Sequence, residues 1–336
     1  MTIREIAKLV NVSPAAVSIV LNGKKGVSEE TRKKILEAIE VNHYSPAVKK
    51  SNKTSQTVLM LKYYKSGMFI EENQGFISMI VDAIEGQLRR ENLGMTLMVA
   101  KDDLQTDLKS IDYGQYCGMI VVATEITEDN YELLGSIPIP FVIVDNTFPN
   151  YSYSTVCMNN HENVWMALDY IHKCGHRKIG YLGSSSKTEN FKARYEAFRM
   201  YIKEFGLDFS TDREFRVKPT LLGAHDDFLN ILGRKPELPT CFFAENDTIA
   251  LGVMKALREK GYKIPADISV VGFDDIPYAS ISSPPLTTIH VQRNIIGKQC
   301  VNQLLQLIDD ERFMPMKTQI TGRLVVRDSV RDLNSI

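Results

Sequence analysis

The sequence predicts an α/β protein in two parts: a small all-helical amino-terminal module with a helix-turn-helix pattern, and a large domain of two parallel-sheet lobes. Three observations predict it. The first 44 residues carry three helical patterns, each with its own start signal. From Val58 onward, short apolar runs alternate with amphipathic segments, the rhythm of βαβ units. The length of 336 residues exceeds the about 100 to 200 of one compact domain.

The helical module comes first. Thr2 with Glu5 forms a capping-box pattern, and Ile3, Ile6, Ala7 and Val10 recur at helical spacing, so a helix is expected over about 2–10. Asn11-Val12 reads as a turn. Ser13 then offers an N-cap and Pro14 a first-turn proline, opening a second helix that ends near Asn22-Gly23. Ser28, followed by Glu29 and Glu30 in the first turn, opens a third helix with Ile35, Leu36 and Ile39 on one face. Two helices joined by a short turn make a DNA-reading unit, whose second helix enters the major groove by its amino end, here Ser13, Pro14, Ala15 and Ala16. A plain three-helix packing module is the alternative.

Charge agrees with a nucleic-acid partner for this part alone. Residues 1–56 hold ten Lys and Arg against five Glu, a net of +5, which leaves −6 for the rest of a chain whose total is −1. Residues 45–57, SPAVKKSNKTSQT, are polar and basic with no apolar period, and read as a linker. The expected domains are therefore 1–44, the linker 45–57, and 58–336. Five scattered cysteines without a C-x-x-C speak for a reducing compartment and against a zinc site. The polar start MTIREIAKLV is not a secretory signal and no run reaches a membrane span, so a cytoplasmic location without membrane contact is expected.

In the large domain, TVLMLKYY, MTLMVA, GMIVVAT and FVIVDN form a first strand series, and KIGYLGSS, TCFFAEND and ISVVGFDD a second. Such sheets bind ligands beyond the carboxyl ends of their strands. That selects Tyr63, Tyr64, Thr124, Asp145, Asn246 and Asp274 as site candidates. The competing reading is that strand-end Asp and Asn residues cap the helices that follow.

The segments IREIAKLVNVSPAAVSIVLNG and VSEETRKKILEAIEVNHYSP, with GHRKIGYLG, ENDTIALG and ISVVGFDDIPYASISSPPLTTI further on, resemble the LacI/GalR (lactose-repressor and galactose-repressor) family over nearly the whole chain. The resemblance implies a transcription regulator, expected to be a repressor, that binds operator DNA. Its large domain would be a type I periplasmic-binding-protein-like sensor with lobe one at about 58–158 and 290–319, lobe two at about 159–289 and 320–331, and three crossovers between them. Pro14, Ala15 and Ile19 would face base edges, while Ser13, Ser18 and Asn22 would face phosphates. Apolar readers can pack on thymine methyls but cannot read guanine by paired hydrogen bonds. The family's A-R-S-L hinge is missing from the linker, and no Leu or Met stands between Tyr44 and Val58. Lys49, Lys50 and Lys53 remain for phosphates, so weak DNA bending and salt-sensitive affinity are expected.

By the same resemblance Arg194, Asn246 and Asp274 would hydrogen-bond the effector, with Asp145 behind them. Phe76, which ends the long segment SGMFIEENQGF, and Lys218, near a position often aromatic in the family, join the expected contacts. An arginine between carboxylates suits a small polar effector, a sugar or nucleoside-like compound, and leaves an anionic one open. A two-fold operator asks for a homodimer. No leucine heptad follows GRLVVRDSVRDLNSI, so a tetramer is not expected.

Other signals are set aside. His172, Cys174 and His176 are close in sequence but sit in HKCGHRKIG, a helix-ending turn in the resembled family. Gly180 to Ser185, GYLGSS, lacks the spacing of a phosphate loop, and no G-x-S-x-G elbow occurs. Neither an enzyme, a cofactor nor a metal is expected. A sugar-binding receptor and a carbohydrate-modifying α/β enzyme are the alternatives from other classes.

Overall fold

A computed structural model describes residues 3–21, 26–41, 56–65, 75–101, 103–310, 312 and 314–335. The chain divides into two compact units, Met1–Thr54 and Ser55–Ile336.

In the first unit, α1 (Ile3–Leu9), α2 (Pro14–Leu21) and α3 (Glu29–Val41) enclose a core of Ile6, Ala7, Val17, Val20 and Ile35. The turn after α1 is tight because Asn11 takes the left-handed conformation, φ 53°, which asparagine tolerates better than most residues. Ser13 Oγ then accepts from the Ala16 N–H at 3.2 Å, and Pro14 fills the first helical position. Ser28 caps α3 in the same way, accepting from the Thr31 N–H at 3.3 Å. Leu36 departs from expectation: it is 49% exposed, because it stands one residue and so about 100° round the helix from the buried Ile35. Thr2, Asn22, Lys49, Lys50 and Lys53 lie outside the described residues.

The second unit contains two six-stranded sheets. The first is built from β1 (Thr57–Tyr64), α4 (Phe76–Arg90), β2 (Gly94–Lys101), α5 (Leu104–Ser110), β3 (Gly118–Val122), β4 (Phe141–Val144) and β5 (Thr155–Met158). The chain crosses over to α6 (Asn160–Lys173), β6 (Ile179–Ser184), α7 (Glu189–Glu204), β7 (Glu214–Val217), α8 (Leu221–Gly233), β8 (Cys241–Ala244), α9 (Asp247–Glu259), β9 (Ser269–Asp274), α10 (Pro277–Ile281) and β10 (Thr287–His290). It returns with α11 (Arg293–Asp309) and β11 (Lys317–Ile320), then crosses a third time to β12 (Arg323–Val325).

The strand orders are β11-β5-β4-β3-β1-β2 and β12-β10-β9-β8-β6-β7. Every pairing is parallel except β10 with β12. Strands β3, β6, β8 and β9 are buried at every position, which is why their sequences read as unbroken apolar or small-residue runs. Helix α11 packs on α4 so closely that a Cβ on Gly297 would lie 2.6 Å from Ala83 Cβ. Only glycine allows that approach. Among the described residues no helix is long and apolar enough to cross a membrane.

Candidate functional site

The carboxyl ends of β3, β4 and β9 and the first turns of α7 come together between the two sheets around a cavity of about 20 Å3. Phe76, Thr124, Asp145, Arg194 and Asp274 line it, and Thr188, Asn190 and Phe191 complete it.

Arg194 is the hub. Its side chain is 3% exposed, and its guanidinium carbon lies 3.7 Å from the centre of the Phe273 ring. Nε donates to Asn160 Oδ1 at 2.9 Å, Nη1 to the Glu245 carbonyl at 2.5 Å, and Nη2 to Asp274 Oδ1 at 3.4 Å. Asn160 Nδ2 in turn donates to Asn190 Oδ1 at 2.8 Å. Asn190 Nδ2 reaches the Asp145 carbonyl and its Oδ1, each at 3.0 Å, and the Thr124 hydroxyl donates to Asp145 Oδ2 at 2.6 Å. One unbroken polar chain therefore runs from Asp274 in the second sheet to Thr124 in the first.

Both acidic residues hold left-handed backbone conformations, Asp145 at φ 67° and Asp274 at φ 115°. Non-glycine residues adopt these only where the surroundings dictate them, and such strain collects at functional sites. Burial pushes the Asp145 carboxyl up to about 6, against the opposing pull of the Thr124 hydroxyl and the Arg194 charge. It therefore titrates nearer to neutrality than an ordinary carboxylate. A buried cation flanked by two carboxylates, with amide donors and acceptors already fixed, offers directional hydrogen bonds to a ligand rich in hydroxyls.

The remaining candidates are placed elsewhere. Asn246 is the N-cap of α9, where its Oδ1 accepts from the Ile249 N–H at 2.9 Å, so the capping reading describes it. Tyr63 and Tyr64 turn into the packed interior of the first sheet, Tyr63 among Leu59 and Leu61 and Tyr64 among Val58 and Met60. Lys62 and Lys101 place their ammonium groups 5.4 and 5.5 Å from the Tyr64 ring centre. Lys218 is exposed, its N–H bound to Asp227 Oδ2, and it does not line this cavity. Conversely, Asn190, Thr188 and Phe191 were not anticipated. They follow the carboxyl end of β6, so the strand-end rule applied to GYLGSS points at them.

A second, larger cavity of about 660 Å3 adjoins the first, and Thr188 and Phe191 line both. Behind its wall, Glu245 is fully buried and accepts from the Tyr181 hydroxyl at 2.5 Å, the Ser184 N–H at 2.6 Å and Arg216 Nη1 at 3.1 Å. Burial outweighs these donors and pushes its carboxyl up to about 7.

In the reading module, the amino end of α2 presents Ser13 and Pro14 as exposed residues and Ala16 as half-buried. Ala15, Ser18 and Ile19 lie on the same helix. Among the described residues no three His, Cys, Asp or Glu side chains are grouped to hold a metal ion, and Arg177 Nη1 caps the His172 carbonyl at 3.0 Å.

Residues 2–47 match the family described as bacterial regulatory proteins, lacI family, and residues 168–330 match the periplasmic binding protein-like domain. The chain is 31% identical to an HTH-type transcriptional repressor PurR of Haemophilus influenzae strain PittEE, over 99% of each. It belongs to the lacI family of bacterial regulatory proteins. A second PurR, from Actinobacillus pleuropneumoniae serotype 3, is 33% identical to this lacI-family chain over 99% of each. Among solved structures, the lac repressor dimer bound to operator and the anti-inducer ONPF superposes with a TM-score of 0.74 at 22% identity, covering 98% of this chain and 99% of that one. A complex of the transcriptional regulator CelR with cellobiose gives 0.73, also at 22% identity and with the same coverage. This lacI-family protein is thus a DNA-binding transcriptional regulator modulated by a small-molecule effector, with a helix-turn-helix head and a two-lobed periplasmic-binding-protein-like domain.

Proposed function

We propose that this regulator represses transcription as a cytoplasmic homodimer, and that a small polar effector held at Asp145, Arg194 and Asp274 sets its affinity for operator DNA. The observation that carries the reading is the Asp145–Asn190–Asn160–Arg194–Asp274 chain of hydrogen bonds between the sheets. A ligand that joins it changes how one lobe is held against the other. Phe76 and Thr124 serve as further effector contacts. Asn246, Tyr63 and Tyr64 keep the structural work described for them, and Lys218 is left out.

For DNA, Ser13, Pro14, Ala15, Ala16, Ser18, Ile19 and Asn22 form the reading surface, with Lys49 and Lys50 on phosphates. The relatives support repression, since the two PurR proteins are both named repressors. Self-association is supported by the lac repressor dimer among the structural neighbours and by large apolar side chains left on the surface, Leu222, Tyr278 and Ile281. The protein binds its effector without turning it over.

The test pairs two measurements on the full chain. Effector binding is followed by thermal shift against sugars, sugar phosphates, nucleosides and purines, and operator binding by fluorescence anisotropy with DNA from the gene's own upstream region. A true effector changes operator affinity by a coupling of about 1 to 3 kcal/mol. Arg194→Lys and Asp274→Asn should abolish that response and keep basal DNA binding. Loss of basal DNA binding in both variants, or turnover of the bound ligand, would overthrow the assignment.

A further inference from the structure

We propose that the protein carries a second ligand site, at its hinge edge and outside the effector cleft, which takes a small organic cation, an aliphatic amine or guanidinium, and so biases operator binding. A hollow of about 490 Å3 lies there, lined by Asn159, His161 and Glu162 at the start of α6, Trp165 one turn on, Tyr201 of α7 and Gln319 of β11. None of these residues lines the two cavities at Arg194 and Arg216. The volume falls within the roughly 300 to 1,000 Å3 of small-molecule sites.

The walls decide the charge of the occupant. They hold a carboxylate and aromatic rings but no Lys or Arg. Among the described residues no hydrogen bond or ion pair engages the Glu162 carboxylate, while the Glu162 N–H donates to Asn159 Oδ1 at 3.1 Å. The Tyr201 hydroxyl and His161 Nδ1 lie 2.7 Å apart with their rings edge to face, which fixes the phenol in the wall. Burial pushes the Tyr201 hydroxyl up, and the negative charges of Glu204 and Glu162 push it the same way, so the local field favours positive charge. Lys317 shares a strand face with Gln319, but its ammonium is taken by the Phe148 carbonyl at 2.6 Å. An ammonium or guanidinium seated here meets the Glu162 carboxylate together with the indole and phenol rings, a setting that attracts cations twice over. An anion would meet Glu162 with no Lys or Arg on the wall to offset it.

The position gives such a ligand leverage. The first crossover leads from β5 through Asn159 into α6, and Gln319 stands just before the third. The Asn159 N–H donates to the Ile320 carbonyl at 2.9 Å and the Gly322 N–H to Asn163 Oδ1 at 2.8 Å, which ties these two crossovers together. Gln319 belongs to the first sheet and Tyr201 to the second lobe, so the shape of the hollow follows the angle between the lobes. Asn160, between Asn159 and His161, is part of the hydrogen-bonded chain from Asp145 to Arg194. One turn of α6 therefore serves both sites. A ligand that fits the hollow better at one lobe angle shifts the protein toward that angle.

Trp165 is the only tryptophan of the chain, so its emission reports on this hollow. The full-length protein is titrated with putrescine, agmatine, spermidine and choline at fixed ionic strength, with glycerol and citrate as neutral and anionic controls. Operator affinity is measured by fluorescence anisotropy with and without each compound. At least one cation is expected to change the emission saturably while the controls do not. Glu162→Gln, at an exposed position, should weaken that cation at least ten-fold. At saturation the cation should shift operator affinity at least three-fold more in the parent than in Glu162→Gln, a comparison that removes the general competition of cations for DNA. The site is overturned by the absence of a saturable change with all four cations, by citrate binding as tightly as they do, or by binding indifferent to Glu162→Gln. Equal shifts in operator affinity for parent and variant overturn its link to the hinge.

Discussion

Asn190, on the first turn of α7, donates both to the main-chain carbonyl and to the carboxylate of Asp145 beyond β4, each at 3.0 Å. The amide thus ties the second lobe to a buried, backbone-strained acid of the first. Asn190→Ala leaves that acid short of a partner and should cost about 1 to 3 kcal/mol. Urea unfolding would show it as a lower midpoint at unchanged slope. Asn190→Asp should be worse still above pH 7, where two carboxylates would face each other. A variant Asn190→Ala as stable as the parent would mean that the contact does not hold the lobes.

Two buried carboxyls give the protein a pH signature. Asp145 and Glu245 are raised to about 6 and about 7, chiefly by burial. A raised acid binds its proton more tightly in the folded state, so its contribution is fully present below the unfolded value and is lost as pH climbs through the folded one. Stability from these groups should therefore decline from about pH 4 to 6 for Asp145 and from about pH 4.5 to 7 for Glu245. For Glu245 the change amounts to about 3 kcal/mol. Glu245→Gln, which mimics the protonated form, should flatten the fall in melting temperature between pH 5 and 8; equal slopes for variant and parent would refute the assignment.

Two glycines in facing helices should respond in opposite directions to alanine. Gly86 lies inside α4 with nothing within 4 Å of an added Cβ, so Gly86→Ala should stabilise by roughly 0.5 to 1 kcal/mol. Gly297→Ala would press on Ala83 and on the backbone of Ile80 and Ile84, and should destabilise by about 1 to 3 kcal/mol. Thermal melts of both variants decide it; a stabilising Gly297→Ala would contradict the close packing of α11 on α4.

The proposed dimer can be probed at Ile281, which ends α10 with 74% of its surface exposed. Ile281→Lys should turn a sedimenting dimer into monomer and lower operator affinity, because two half-sites need two linked heads. A mutant that remains dimeric at micromolar concentration would place the interface elsewhere.

What the sequence made legible follows from where each residue's environment is encoded. Thr124, Asp145 and Asp274 stand directly after apolar strands, and a strand end is a place in the architecture as well as in the sequence. Tyr63 and Tyr64 are instead the last two residues within β1, and each ring packs into an apolar cluster of the core, Tyr63 with Leu59 and Leu61 and Tyr64 with Val58 and Met60. Asn246 is a strand-end residue whose amide is taken by the first turn of α9. Asn190 and Asn160 look like ordinary polar residues at the starts of helices. Only the tertiary arrangement brings them into line between Arg194 and Asp145, and no local spacing announces it. Leu36 illustrates the same limit in the head: a helical run of Ile35-Leu36 does not say which of two neighbours faces inward.

The interleaving of the two sheets also bears on how the protein is made. Lys317–Ile320 pairs with Thr155–Met158, and Arg323–Val325 pairs with Thr288–His290. Each sheet therefore receives an edge strand from a stretch that leaves the ribosome well after its partner. At about 5 to 20 residues per second, β5 spends many seconds as an open template before β11 exists to cover it. During translation neither lobe can be completed ahead of the other, and the nascent chain offers unpaired strand edges that any neighbouring polypeptide could add to. A regulator of this topology is therefore most exposed to misassembly while it is being synthesised, when crowded polysomes carry many copies of the same unfinished edge.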